Sequence, residues 1–157
     1  MYSIGEKIVY PMHGAGIIGG IESKTILGEV RDYYVLDMPY SSIKIMVPTD
    51  KCDEIGIRTV VDMSQIEDIM TVLKSPSTPM PGNWNKRHRE NMEKLKSGDL
   101  AEVAEVVRNL SLADSEKSLS TGEKKVLNDA KQILLSEIML VMEIEQDEAD
   151  RIIDDIF

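Results

Sequence analysis

Residues 5–21, GEKIVYPMHGAGIIGGI, decide the fold of the first half of this 157-residue chain. The apolar run at 8–10 predicts a strand, and the Pro- and Gly-rich segment 11–16 interrupts it. Residues 17–21 resume a strand, whose glycines suggest a bulge or a tight bend. This pattern of short, glycine-rich strands continues further along the chain.

Three further segments extend the β pattern toward residue 60. Residues 25–28 resemble a hairpin turn, and residues 31–36 and 43–47 have the composition of strands. In the last of these, Ile43, Ile45 and Val47 alternate with polar or flexible positions. Short strands at this spacing indicate a small barrel of about five strands.

From residue 62 onward the apolar residues recur with the period of a helix. We predict capping boxes at residues 64–67, 99–102 and 120–123, each starting a helix. The Pro-rich loop 75–82 should end one helix, and another should run from near Trp84 to about Lys96. The chain is therefore expected to be an α+β protein of two domains, a small β-barrel at 1–60 followed by an α-helical bundle at 61–157.

Composition indicates a water-soluble protein of the cytosol. No apolar run approaches the roughly 18 residues of a membrane helix, the N-terminus lacks the pattern of a signal peptide, and Cys52 is the only cysteine. The net charge of −10 argues against nucleic-acid binding by the whole surface. Residues 84–96, however, carry five Lys or Arg against two Glu, whereas the acidic segment 143–157 is typical of a solvated helix face.

The residues that could support catalysis or metal binding do not form a recognised pattern. The chain has neither a P-loop motif nor a dinucleotide-binding motif. His13, His88 and Cys52 lack the spacing of metal ligands, and the acidic neighbours of Cys52 disfavour a thiolate nucleophile. We expect neither an enzyme nor a site for a metal or cofactor.

Trp84 is the only tryptophan and lies where the Pro-rich loop meets a helix. One interpretation is a hydrophobic staple at the helix start. Another is contact with nucleic acid, because a flat ring one turn from Lys86, Arg87 and Arg89 suits bases and phosphates. The residues alone leave both interpretations open.

Two sets of short motifs carry a resemblance to a known family. The first half contains GEKIVYPMHGAG at 5–16, KTILGE at 24–29 and VP at 47–48; the second contains NWNKR at 83–87, KSGD at 96–99, VAEVVR at 103–108 and LSTGEK at 119–124. In this order and over nearly the full chain, the motifs resemble the CarD/CdnL family of bacterial transcription regulators. The first half is also similar to a domain of the transcription-repair coupling factor.

The resemblance implies a Tudor-like barrel that docks on the β subunit of RNA polymerase, with a helical domain that contacts promoter DNA. Trp84 would wedge into the minor groove at the upstream edge of the transcription bubble and stabilise the open complex. Lys86, Arg87 and Arg89 would contact phosphates, and three contacts predict a salt slope of about −3.

The same resemblance suggests which residues of the barrel meet the polymerase. We expect Lys24, Lys44 and Met46 to contribute, although some relatives have a basic residue at the position of Met46. A monomer in the bacterial cytoplasm, associated with the nucleoid through polymerase, would suffice. The alternative is a protein-only adaptor that binds polymerase or another partner without touching DNA.

Overall fold

A computed structural model describes residues 1–40 and 42–157. The first part is a five-stranded antiparallel sheet with the strand order β4-β3-β2-β1-β5. The strands are β1 (Lys7–Tyr10), β2 (Gly14–Ile26), β3 (Glu29–Asp37), β4 (Lys44–Pro48) and β5 (Arg58–Thr59). A single turn of helix, α1 (Cys52–Ile55), precedes the last strand and was not predicted from the sequence.

Helices form the rest of the chain. They are α2 (Met63–Lys74), α3 (Trp84–Lys96), α4 (Leu100–Glu116), α5 (Thr121–Met142) and α6 (Gln146–Asp154). The predicted α+β class, with strands first and helices second, is therefore confirmed. The end of α2 at Lys74 and the span of α3 agree with the prediction from the Pro-rich loop.

Of the bulge or tight bend that the glycines at 17–21 suggested, the long hairpin of β2 and β3 contains the bulge. The pairing register shifts between Ile18 and Gly20, which is a β-bulge. The turn itself contains only Leu27 and Gly28, with φ values of 52° and 81°. Two consecutive residues with positive φ are typical of a tight two-residue hairpin, so the turn is narrower than the predicted 25–28.

Alternating residues of the strands fill the core of the sheet. Ile8, Ile18, Tyr34, Leu36 and Val47 are almost completely buried and pack together. Burial of these side chains on one face requires the observed strand register, since a shift by one residue would turn them to the opposite face.

The first predicted capping box was placed two residues too late. Asp62, not Ser64, precedes α2, and its carboxylate accepts the N–H of Gln65 at 2.9 Å. The Gln65 side chain accepts the N–H of Asp62 at 3.0 Å in return. The hydrogen bond from the Gln65 N–H, followed by the one from the Ser64 hydroxyl, favours the charged carboxylate and lowers the pKa of Asp62.

The other two boxes are only half formed. Asp99 caps α4 by accepting the N–H of Ala101 at 2.9 Å, but its own N–H donates to Ser97 Oγ, so the reciprocal role predicted for Glu102 is wrong. Ser120 caps α5 by accepting the N–H of Glu123 at 3.3 Å. The Glu123 carboxylate, however, faces α3 instead of closing the box.

The sheet packs against α5 through its outer surface. Val9 and Ala15 form a small buried cluster with Leu140, and the Ala15 N–H donates to Ser136 Oγ at 2.9 Å. Gly14 allows this approach, because an added Cβ there would lie 2.6 Å from Ser136 Oγ.

An ion pair strengthens the same contact. The Glu137 carboxylate, in a residue only 1% exposed, accepts hydrogen bonds from both terminal nitrogens of Arg58 at 2.8 Å. It also accepts the Val61 N–H at 2.8 Å, and the Arg58 Nε donates to the Gly98 carbonyl at 2.7 Å. The sheet and the chain that leaves it therefore meet α5 at one carboxylate, and Arg58 also holds the connection between α3 and α4. The domain boundary between residues 60 and 61 stays a prediction.

Within the described residues, no helix is both long and apolar enough to cross a membrane. In the same part of the chain, His, Cys, Asp and Glu side chains form no group that could hold a metal ion.

Candidate nucleic-acid interface

The candidate interface begins at the first residue of α3. The Asn83 side chain accepts the N–H of Lys86 at 3.1 Å and so caps the helix. Trp84 follows directly, at the junction with the Pro-rich loop. The sequence places the ring at this junction because proline prevents an earlier helix start and asparagine favours this one.

The indole ring of Trp84 lies at the surface and is 43% exposed. It stacks on His88, one helical turn later, with ring centroids 5.0 Å apart and planes inclined by only 9°. One side of the indole therefore packs on the protein, while much of the ring stays open to solvent. A half-exposed ring that packs on the protein with one side is compatible with a staple and with DNA contact, so both interpretations stay predictions.

Arg87 fixes the start of α3 to its surroundings. Its Nε and Nη2 atoms donate to the two carboxylate oxygens of Glu123 at 2.8 and 2.9 Å, and its Nη1 atom donates to the carbonyls of Pro81 and Gly82. Bonding to Glu123 raises the pKa of the Arg87 guanidinium. Since the guanidinium is engaged inside the protein, its contact with phosphate stays a prediction that this geometry does not favour.

Lys86 and Arg89 lie on the outer side of α3. Both are exposed, and neither forms an ion pair with the described residues. At 100° per residue they face away from Asn91 and Leu95, which are buried against the other helices. Trp84 lies on the inner side, so the helix separates the ring from two of the three cations that the sequence places beside it.

A buried polar pair holds the Pro-rich loop beside this site. Arg108 is 4% exposed and donates to the Val72 carbonyl at the end of α2 and to Thr78 Oγ1. Asn109, 1% exposed, accepts the Thr78 N–H and donates to the same hydroxyl. The sequence carries a signal that was missed, because two polar residues follow Val107 directly within the apolar face of α4.

The fixed loop forms one wall of an open groove of about 730 Å³. Trp84 and the connection from α4 to α5 also line this groove. The exposed ring therefore borders a groove whose loop is held by hydrogen bonds, which suits a side chain that inserts into another molecule.

The residues considered for metal or nucleophile chemistry lie apart from one another. Cys52 is buried in the core of the sheet, where burial and Asp53 raise the pKa of its thiol, so a reactive thiolate is disfavoured. His13 lies edge-on to Tyr10 at 4.6 Å, and His88 stacks on Trp84. Nothing in these positions suggests a shared catalytic site.

The three residues predicted to meet the polymerase share one face of the sheet. Lys24 pairs with Arg31, Met46 with Val35 and Lys44 with Asp37, and alternate residues of β3 point to the same side. These three residues form a line, here called the stripe. The β3 partners of its two ends, Arg31 and Asp37, are six positions apart, so Lys24 and Lys44 lie about 20 Å apart along the strand.

The middle and far end of the stripe lie on β4, an edge strand of the sheet. Lys44 also forms a weak ion pair with Asp37 at 3.7 Å. The face is therefore a line along the hairpin and its edge rather than one compact cluster.

Comparison with known proteins assigns this arrangement to a class of transcription factor. Residues 2–61 match the CarD-like/TRCF RID domain, and residues 68–154 match the C-terminal domain of CarD. A Bacillus subtilis (strain 168) protein named as a candidate transcription factor, YdeB, is 41% identical over 141 residues, which cover 90% of this chain and 92% of that protein. The chain belongs to the CarD family, and both the predicted resemblance and the Tudor-like character of the sheet are confirmed.

Proposed function

We propose that this protein binds the β subunit of RNA polymerase and stabilises the promoter open complex by contacting DNA at the upstream edge of the transcription bubble. Membership in a family of transcription factors supports a role in transcription regulation. The observation that carries the DNA contact is Trp84, an exposed ring at the start of a helix whose outer side carries Lys86 and Arg89.

The sheet would act as the anchor on polymerase. Its match to the RID domain supports this role, and the edge position of β4 would allow backbone pairing with a strand of the partner. Lys24, Lys44 and Met46 would lie along this contact. Anchoring would raise the local concentration of the helical part near DNA to about the mM range, so its own affinity for DNA can be low.

Trp84 would favour the open state through differential binding. Unstacking a base step costs about a few kcal/mol, and at the bubble edge melting has already met part of this cost. The ring would therefore bind the open complex better than the closed one, and only such a difference shifts the equilibrium. A difference of about 1.4 kcal/mol would change the ratio of the two states about tenfold.

The rigid mount of the ring supports this mechanism. The ion pair of Arg87 with Glu123 and the stack on His88 order the site before DNA arrives. A side chain that is already ordered loses less conformational entropy on binding. Lys86 and Arg89, on the outer side of α3, would contact the adjacent phosphates.

The test is the lifetime of promoter open complexes formed with bacterial RNA polymerase, compared for the wild type and Trp84→Ala. We expect the variant to co-purify with polymerase and to lose the stabilisation. Phe157→Ala is the matched control, because this aromatic ring is 41% exposed and does not line the groove that contains Trp84; it should keep the wild-type lifetime.

The same experiment distinguishes the rival function. If the protein is only a protein-binding adaptor, Trp84→Ala should still bind polymerase and should give the same open-complex lifetime as the wild type. An unaltered lifetime in this variant would therefore overturn the wedge. A monomer that reaches the nucleoid through polymerase in the bacterial cytoplasm remains part of the proposal.

A further inference from the structure

Gly122, the second residue of α5, lies against the indole ring of Trp84. A Cβ added at Gly122 would lie 3.2 Å from Cζ2 of the ring. Optimal separations between non-bonded carbon atoms are about 3.5–4.0 Å. Any side chain at this position would therefore push the ring by a few tenths of an ångström. The ring occupies space that every other residue would need.

The backbone of Gly122 gives no separate reason for glycine. Its φ lies outside the left-handed region, in the first turn of a regular helix. Glycine disfavours helix formation relative to alanine, so stability alone would favour a larger residue. The close contact with Trp84 is the feature of this position that requires a missing side chain.

The surrounding contacts hold the two helix starts in a fixed relation. Glu123, the next residue of α5, pairs with Arg87, which lies three residues after Trp84 on α3. On α3 itself, His88 stacks on the indole. Because the ion pair joins the first turns of both helices, a Cβ at Gly122 would displace the ring rather than the helix.

We propose that Gly122 is a positioning residue for Trp84, and that its missing side chain sets the placement of the indole that meets DNA. This inference rests on the proposed function of Trp84. It adds a contact from a second helix, about forty residues away in sequence, to a site that the sequence assigned to α3 alone.

The experiment compares Gly122→Ala with Gly82→Ala in the full chain. An added Cβ at Gly82, two residues before Trp84, has no atom within 4 Å, so this control makes the same chemical change without touching the ring. Trp84 is the only tryptophan, so its fluorescence spectrum and its quenching by iodide report on this ring alone. Urea unfolding, polymerase binding and open-complex lifetime complete the measurements.

We expect Gly122→Ala to alter the emission and quenching of Trp84 and to shorten the open-complex lifetime severalfold toward that of Trp84→Ala. Its stability should be equal to or higher than that of the wild type, and polymerase binding should be unchanged. Gly82→Ala should match the wild type in fluorescence and lifetime. A purely structural role would instead lower stability and leave the lifetime of the folded protein unaffected.

Three results would overturn the inference. These are unchanged fluorescence in Gly122→Ala, the same fluorescence change in Gly82→Ala, or a displaced ring that still gives the wild-type lifetime. Failure of the proposed function would be seen separately, since the wild-type protein would then not extend the open complex at all. The fluorescence comparison tests the placement of the ring in either case.

Discussion

At the scale of single residues, Glu123 has two structural roles at the start of α5. Its backbone N–H is bound by Ser120, and its carboxylate binds Arg87 across the helix pair. The Ser-x-x-Glu spacing predicted only a local cap. Because Arg87 also holds the Pro-rich loop through the Pro81 carbonyl, one carboxylate stabilises three segments around Trp84.

Removal of this carboxylate should destabilise the protein. Glu123→Ala would leave a largely buried guanidinium without its ionic partner, and we expect the free energy of unfolding to fall by about 2 kcal/mol. Removing one partner of a fully buried pair would lower the free energy of unfolding further, but Arg87 and Glu123 border an open groove. Urea denaturation measures the change.

The matched control is Asp129→Ala, which removes an exposed i,i+4 ion pair with Lys125 on the same helix. Its effect should stay below about 0.5 kcal/mol. Equal effects of the two variants would mean that the pair of Arg87 and Glu123 behaves as an ordinary surface salt bridge.

At the scale of elements, α3 has two sides with different chemistry. Trp84, His88 and Asn91 face the neighbouring helices, whereas Lys86 and Arg89 face solvent. Composition alone counts three cations near the ring. Among the described residues, only two of these three cations, Lys86 and Arg89, are free to contact phosphates from the solvent-facing side of the helix, because Arg87 is bound to Glu123.

This difference predicts the salt dependence of the DNA contact. Each neutralised phosphate contributes about −0.9 to the slope of log affinity against log salt. We therefore expect a contribution of about −2 from this protein, rather than the −3 expected from three cations. Lys86→Ala and Arg89→Ala should each make the slope shallower by about 0.9, measured as recruitment to the polymerase–promoter complex across a salt series.

Lys51→Ala serves as the control for total charge, because it removes a cation from the sheet domain that pairs with Glu54 on the surface. It should leave the slope unchanged. If neither α3 variant differs from this control, the outer face of the helix does not contact DNA.

At the scale of the whole molecule, the contact around Glu137 couples the sheet to the helices. Its carboxylate accepts three N–H groups, two from Arg58 and one from Val61. With Ala15 and Ser136 beside it, this contact fixes the distance between the sheet face that would bind polymerase and the ring that would bind DNA.

Loss of the Glu137 carboxylate should therefore affect stability and coupling together. For Glu137→Ala we expect the free energy of unfolding to fall by about 3 kcal/mol, the low end for loss of one partner of a buried pair, because the Arg58 side chain is 29% exposed. Urea unfolding followed by Trp84 fluorescence and by circular dichroism should give coincident transitions for the wild type and separate ones for the variant.

The control is Glu143→Ala, because the Glu143 side chain is 80% exposed and pairs with Lys7 at the same contact between sheet and helices. It should resemble the wild type in both signals. Coincident transitions with an unchanged midpoint in Glu137→Ala would show that apolar packing alone holds the sheet and the helices together.

Much of the fold was predictable because its signals are local. The bulge near Gly19, the end of α2 before the Pro-rich loop and the start of α3 after Asn83 each depend on residues within one or two turns. Errors occurred where two local interpretations competed, as at Asp62 and Ser64, which both suit a helix start. The single turn α1 was too short to produce a periodic pattern.

The sequence by itself determined the α+β class, the end of α2, the span of α3 and the position of Trp84 at a junction of loop and helix, because periodicity and capping act over short distances. Only the tertiary structure decided that Arg87 binds Glu123, 36 residues away, and that Arg58 binds Glu137, 79 residues away. Such pairs leave no local pattern, since packing and not spacing along the chain brings them together. For the same reason, the contact of Gly122 with the ring became visible only in the folded protein.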